Sequence, residues 1–166
     1  SLRILVREYD GAQELADLIS GFDIVVATTN NSVFEVNSAL KHLHLKNVKG
    51  PQAAYYVQDY EPLFYAPNSK AWKVAYGSYS LIPDATLFAK TDWIRQVVYD
   101  NHGIRVAKVS PSIDHQIFYP GARLQRSGLS FAAMLRPQTP RRAPKRTIRI
   151  LEMIAAELGD HATIRV

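Results

Sequence analysis

The segment LRPQTPRRAPKR, residues 135–146, sets Arg136, Arg141, Arg142, Lys145 and Arg146 among Pro137, Pro140 and Pro144, directly behind the apolar run GLSFAAM. Cations at a helix start oppose the helix dipole by a few tenths to about 1 kcal/mol each, so something else must favour them there. A diphosphate would do so. Guanidinium forks grip phosphate oxygens bidentately, and the free N–H groups of a helix N-terminus point the same way. The prolines would stiffen the loop, with Pro144 at the first helical turn. A solvated basic face accounts for the same charge, and charge alone does not separate the two.

A second group is YYVQDYEPLFY, 55–65, in which Asp59 and Glu61 follow a strand end among Tyr55, Tyr56, Tyr60, Phe64 and Tyr65. A carboxylate beside aromatic surface makes a general base, because partial desolvation raises its pKa, and an aromatic ring such as Tyr60 can stack on a sugar face. Pro62 ends the strand, so the directions of these side chains are not fixed by alternation. A turn cap at Asp59 and tyrosines in the core are the structural alternative. A third group, ATTNNSVFE at 27–35, offers Thr28, Thr29, Asn30, Asn31 and Ser32 as hydrogen-bonding partners for a polyol, or as caps for the next helix.

Other chemistries lack their residues. The chain contains no GxGxxG, no GxxxxGK[ST] and no GxSxG, and it has no cysteine, which excludes disulfides, thiolate metal sites and cysteine nucleophiles. The five histidines are scattered, with His42 and His44 too close along a helix to share a face, so no metal site and no cofactor are expected.

These groups need a scaffold, and the composition provides for one. With 166 residues, 47% hydrophobic and 21% charged, the chain can bury a core, and no apolar run reaches membrane-spanning length. A cytoplasmic protein is expected, with peripheral contact at the inner face of the membrane as an option that no basic amphipathic helix demands. The net charge of +5 is local: residues 1–120 hold 11 Lys/Arg against 12 Asp/Glu, and residues 121–166 hold 9 against 3. A single basic cluster on a neutral body points to a compact anion or a solvated face.

Short apolar runs alternating with helical patterns predict an α/β fold with a Rossmann-like, mainly parallel sheet. Strands are expected at 2–6, 23–29, 53–58, 85–91, 104–109, 129–134 and 162–166. Helices are expected at 12–20, at 32–43 with a Ser32–Glu35 capping box, within 69–81, at 92–101 with Thr91 as cap and Gly103 as stop, and up to Leu158 with Ile148, Leu151, Ile154 and Ala155 facing inward. The stretch 110–128, with Pro111, Pro120, Gly121 and Gly128, sits at the charge transition and suggests an interdomain linker. The expected division is 1–120, a linker at 121–128, and 129–166.

YYVQDYEPLFYAPNS (55–69), TLFAKTDWIRQVVYDNHGI (86–104), VSPSIDHQIFYP (109–120) and FAAMLRPQTPRRA (131–143), in this order and spacing, resemble successive blocks of the retaining family 4 glycosyltransferases of the two-Rossmann-domain (GT-B) type. Within that family the blocks are similar to those of bacterial rhamnosyltransferases of surface polysaccharide synthesis, and the likeness covers about residues 53–155. It implies that the chain crosses from an acceptor-binding N-terminal domain into a donor-binding C-terminal one. It also implies that Arg136 and the basic residue six positions on, Arg142, contact the donor diphosphate, with Arg141 beside them. The family pattern has Lys at the second position, and many members have His where this chain has Gln58 and Gly where it has Ser112. Gln58 cannot serve as His would, which leaves Asp59 as the better base or acceptor-positioning candidate.

The implied reaction is metal-independent transfer of a sugar, rhamnose among the options, from a nucleoside diphosphate to a saccharide or lipid-linked saccharide, with no nucleic acid involved. Thr29, Asn30, Gln58 and Tyr60 would lie on the acceptor side. Family members are about twice this length, with a glycine-rich loop before and a glutamate motif after the matched region, so the chain resembles a central slice with little turnover of its own. A different class of function, a non-enzymatic α/β module binding polyanions through the 136–149 cluster, would show a steep loss of affinity with salt.

Overall fold

A computed structural model of the chain describes residues 5–121 and 128–166. Internal contacts divide the chain into two compact units, Ser1–Ser112 and Ile113–Val166. The expected linker at 121–128 lies outside the described residues except at its two glycines.

The first unit runs α1 (Gly11–Ile19), β1 (Ile24–Ala27), α2 (Asn30–Leu45), β2 (Gln52–Val57), a 3-10 turn (Glu61–Phe64), α3 (Lys70–Gly77), a second 3-10 turn (Ser78–Ser80), β3 (Thr86–Ala89), α4 (Asp92–His102) and β4 (Ala107–Lys108). Its four strands are parallel and lie side by side in chain order, β1-β2-β3-β4, with Ala27 opposite Tyr55, Val57 opposite Ala89, and Phe88 opposite Ala107. This is the Rossmann-like α/β arrangement that the alternating runs predict. Of the expected strand at 2–6, residues 2–4 lie outside the described residues; Leu5 and Val6 are exposed and form no strand.

Alternation along the strands decides where the core sits. Ala27, Tyr55, Val57, Leu87, Ala89 and Val106 point to one face and pack with Val33 and Val36 of α2, Tyr79, and Ile94 and Val98 of α4. The period-2 rule puts Ile24, Val26, Tyr56, Phe88 and Val109 on the other face, where Ile24 is 61% exposed and the Tyr56 and Phe88 rings stack at 5.1 Å. Helix α1 packs on α2 through Leu15, Ala16, Ile19, Ala39 and Leu43.

The expected cap is found at α4, and α3 gains one beyond those expected. Thr91 caps α4 by accepting from the Ile94 N–H, and Gly103 ends the helix at φ 66°. Ser69 caps α3 in the same way. Helix α2 departs from expectation: its cap is Thr29, and the reciprocal box joins Thr29 to Ser32 instead of Ser32 to Glu35. The reason is where β1 ends. With Ala27 the last strand residue, Thr29 is already extended at the helix entrance and Ser32 falls at the third helical position.

The second unit is a single βαβ: β5 (Leu129–Ala132) and β6 (Ala162–Arg165) are parallel, and α5 (Pro144–Leu158) connects them. No described residue of this unit is buried. Against two strands α5 half-buries Pro144, Thr147, Leu151, Ile154 and Leu158, while Ile148 and Ala155, expected inward, are exposed. A two-stranded sheet is too narrow to cover the wider apolar stripe. No described helix is long and apolar enough to cross a membrane.

Candidate functional site

In a parallel sheet the strands' carboxyl ends share one edge, and ligands of open α/β sheets bind there. Two of the three sequence groups meet at that edge in the first unit. Gln58, exposed just past β2, donates from Nε2 to the Thr28 carbonyl past β1 at 3.0 Å. Glu61 accepts at Oε2 from the Asn30 N–H, at 2.9 Å. The loops after β1 and β2 are therefore fastened to each other at two points.

The individual side chains differ in what they leave available. Thr29 is exposed, but its hydroxyl oxygen accepts from Ser32 N at 3.2 Å while Ser32 Oγ accepts from Thr28 N and Thr29 N. Asn30 is buried at the first turn of α2, its amide donating to Asn31. Asp59 is half-buried, and its Oδ1 accepts from the Tyr60 N–H at 2.9 Å. Glu61 is 6% exposed; burial raises its pKa, the Asn30 N–H works against that, and Asp59 adds to it. A raised pKa is what a general base needs, but this carboxylate holds the entrance of α2.

Tyr60 needs a correction. Expected to present its ring to a sugar, it is 4% exposed, packed against Tyr79 at 5.5 Å and 3.2 Å from His102 Nε2 through its hydroxyl. Burial pushes its phenol up to about 12. Tyr60 stands at the entrance of the 3-10 turn Glu61–Phe64, with Pro62 in its first positions, and is buried there. Tyr65, half-buried, takes the outer place instead: with Asn30, Asn31, Lys70, Ala71 and Val74 it lines an open cleft of about 430 Å³ between the N-terminal turns of α2 and α3. Sequence reasoning named Tyr65 only as one of five aromatics and missed Lys70, because no spacing rule links residues 31 and 70.

The third group lies in the second unit. From β5 the chain passes Arg136, turns through Thr139 N–H donating to the Arg136 carbonyl, and forms a 3-10 turn over Pro140–Arg142 before α5. Arg136, Arg141, Arg142, Lys145 and Arg146 are all exposed. Ala143, between the two, has φ 49° and ψ 51° and gives α5 no side-chain cap. Left-handed backbone costs a non-glycine residue about 1–2 kcal/mol, and it is found where surrounding structure fixes it. The strained residue sits between Arg142 and Pro144, so it fixes how the arginine turn meets the helix. The sequence gives no sign of it, since Ala has no left-handed preference.

No protein-family model matches this chain, and no curated protein matches it. Function therefore rests on the residues themselves. Among the described residues, no group of three His, Asp or Glu side chains is placed to hold a metal ion.

Proposed function

We propose that this chain is part of a glycosyltransferase of the GT-B type that moves a sugar from a nucleoside-diphosphate donor to a saccharide or lipid-linked saccharide. The observation that carries the reading is the β5–α5 connection. Exposed Arg136, Arg141 and Arg142 stand on the connection from a parallel strand to a 15-residue helix, and exposed Lys145 and Arg146 in the first turn of that helix. A departing diphosphate develops negative charge, and preorganised cations beside free N–H groups stabilise it. The four-strand order of the first unit also fits, since sequential parallel strands form one half of a doubly wound sheet. On the acceptor side, Gln58, Asp59 and the Tyr65–Lys70 cleft stand at the same sheet edge, with Asp59 as the base or positioning group for the acceptor hydroxyl and Tyr65 as the ring for its sugar face. Rhamnose is among the sugars that the sequence resemblance allows.

Calorimetric titration of the chain with UDP, dTDP and GDP tests the donor side, beside Arg136→Ala and Arg142→Ala. One nucleotide should bind in preference, and each variant should weaken it about tenfold, the loss of one charge-assisted pair. Equal binding in both variants removes the donor assignment. Binding that collapses with salt and ignores the base supports the polyanion module instead. On the acceptor side, near-normal turnover of Asp59→Asn in an enzyme containing this chain would take Asp59 out of the mechanism.

A further inference from the structure

His102, the last residue of α4, is half-buried in a box of three tyrosines. Tyr76 of α3 and Tyr79 of the second 3-10 turn lie with ring centroids 4.2 and 4.7 Å from the imidazole, and Tyr60 presents its edge at 5.9 Å. The imidazole Nε2 is 3.2 Å from the Tyr60 hydroxyl. The box is tied to the loop after β2 by two further bonds: the Tyr79 hydroxyl donates to the Asp59 carbonyl and accepts from the Glu61 N–H, each at 3.2 Å. Residues 59, 60 and 61 are thus each bonded, directly or through one ring, to the group around His102.

We propose that His102 is a proton-sensitive positioning residue for the loop that carries Asp59 and Glu61, acting through Tyr60 and Tyr79. A neutral imidazole can either accept from or donate to the Tyr60 hydroxyl; an imidazolium can only donate. Protonation therefore fixes the direction of that bond and places a charge where hydration is reduced. The titratable groups facing the ring are the phenols of Tyr60, Tyr76 and Tyr79; on its own helix Asp100 accepts from Gln96. Among the described residues no carboxylate is bonded to the imidazole, and burial lowers its pKa below 6.5. The ring faces and the C-terminal end of α4 favour the cation in part, and burial outweighs them. Acidification then weakens the box, and the loop after β2 loses the contacts that set the direction of Asp59. The bearing on sugar transfer rests on the function proposed above; the coupling itself does not.

The test is a pH titration of the 166-residue chain by NMR between pH 8 and 5, following the His102 ring and the backbone amides of Asp59, Tyr60, Glu61 and Tyr79. One shared midpoint below 6.5 is expected. In His102→Gln, which keeps a hydrogen-bonding group and cannot titrate, the step in the amides should vanish, which separates it from titration of Glu61. In Tyr60→Phe, His102 should still titrate while the Tyr60 amide loses most of its shift. Amides that stay flat while His102 titrates in the unaltered chain would overturn the proposal, whatever the variants do. So would an unchanged step in His102→Gln. Because no sugar is involved, a failure of the glycosyltransferase reading leaves this result standing, and the reverse holds as well.

Discussion

Replacing Glu61 separates what its hydrogen bond does from what its charge does. The side chain is 6% exposed and accepts from the N–H of Asn30, itself 4% exposed, at the first residue of the 16-residue helix α2. In Glu61→Ala that N–H keeps its place and loses its partner. An orphaned buried donor costs about 1–3 kcal/mol. For a chain of this size each kcal/mol moves the midpoint by about 2–4 °C, so a loss of about 2 kcal/mol should lower the Tm of the first unit by about 4–8 °C. Glu61→Gln keeps the volume and an acceptor oxygen and removes only the charge.

The charge has two opposed effects. At a helix N-terminus a carboxylate gains about 0.3–1 kcal/mol, while burial disfavours its ionised form. The folded-state pKa is raised, so burial wins. The folded chain binds this proton more tightly than the unfolded chain does; the associated stability is fully present below the ordinary value of 4.5 and fades as pH rises through the folded pKa. Glu61→Gln should therefore be neutral or slightly stabilising at pH 7 and lose that advantage on acidification. The assay is thermal and urea unfolding followed by circular dichroism at pH 7 and pH 5. If Gln costs as much as Ala at pH 7, the charge and not the hydrogen bond holds α2, and the reasoning fails.

Three further outcomes are expected. Gly128→Ala should remove amide-exchange protection from β5 and β6, because a Cβ there would stand 2.6 Å from the His161 carbonyl oxygen at φ 99°, a misfit that costs well over about 1 kcal/mol. Ala143→Gly relieves about 1–2 kcal/mol of left-handed strain against about 0.4–1 kcal/mol of added unfolded-chain entropy, so α5 should exchange more slowly by about 0.5 kcal/mol, whereas Ala143→Val should exchange faster. His102 has a lowered folded-state pKa, so its contribution is fully present above the unfolded value of 6.5 and is lost as pH falls through the folded one; Tm should decline on that side in the unaltered chain and much less in His102→Gln.

What the sequence made legible was local. Thr91, Gly103 and Pro144 act within three or four residues, and each stands where capping rules put it. The alternation of apolar runs and helical patterns was equally sufficient for the parallel sheet, since a βαβ chain has few ways to bury both kinds of surface. The cap of α2 was missed by three residues because Thr29-x-x-Ser32 and Ser32-x-x-Glu35 are both reciprocal boxes in principle. The end of β1 decides between them, and strand ends are poorly marked in sequence.

The candidate sites were harder to read because their geometry depends on partners far apart in the chain. Tyr60 and Tyr65 look alike in sequence, and Pro62 removes the alternation that would assign their directions. What draws Tyr60 inward is His102, 42 residues away, and Tyr79. Glu61 is held by Asn30, 31 residues earlier. At the basic loop the deciding feature is a backbone angle at Ala143, which no side chain announces. Charge and residue type thus mark the candidate loops, while tertiary packing chooses which members of each loop face outward. At the edge of β2 it buries Tyr60 and Glu61 as supports and leaves Gln58 exposed and Asp59 half-buried.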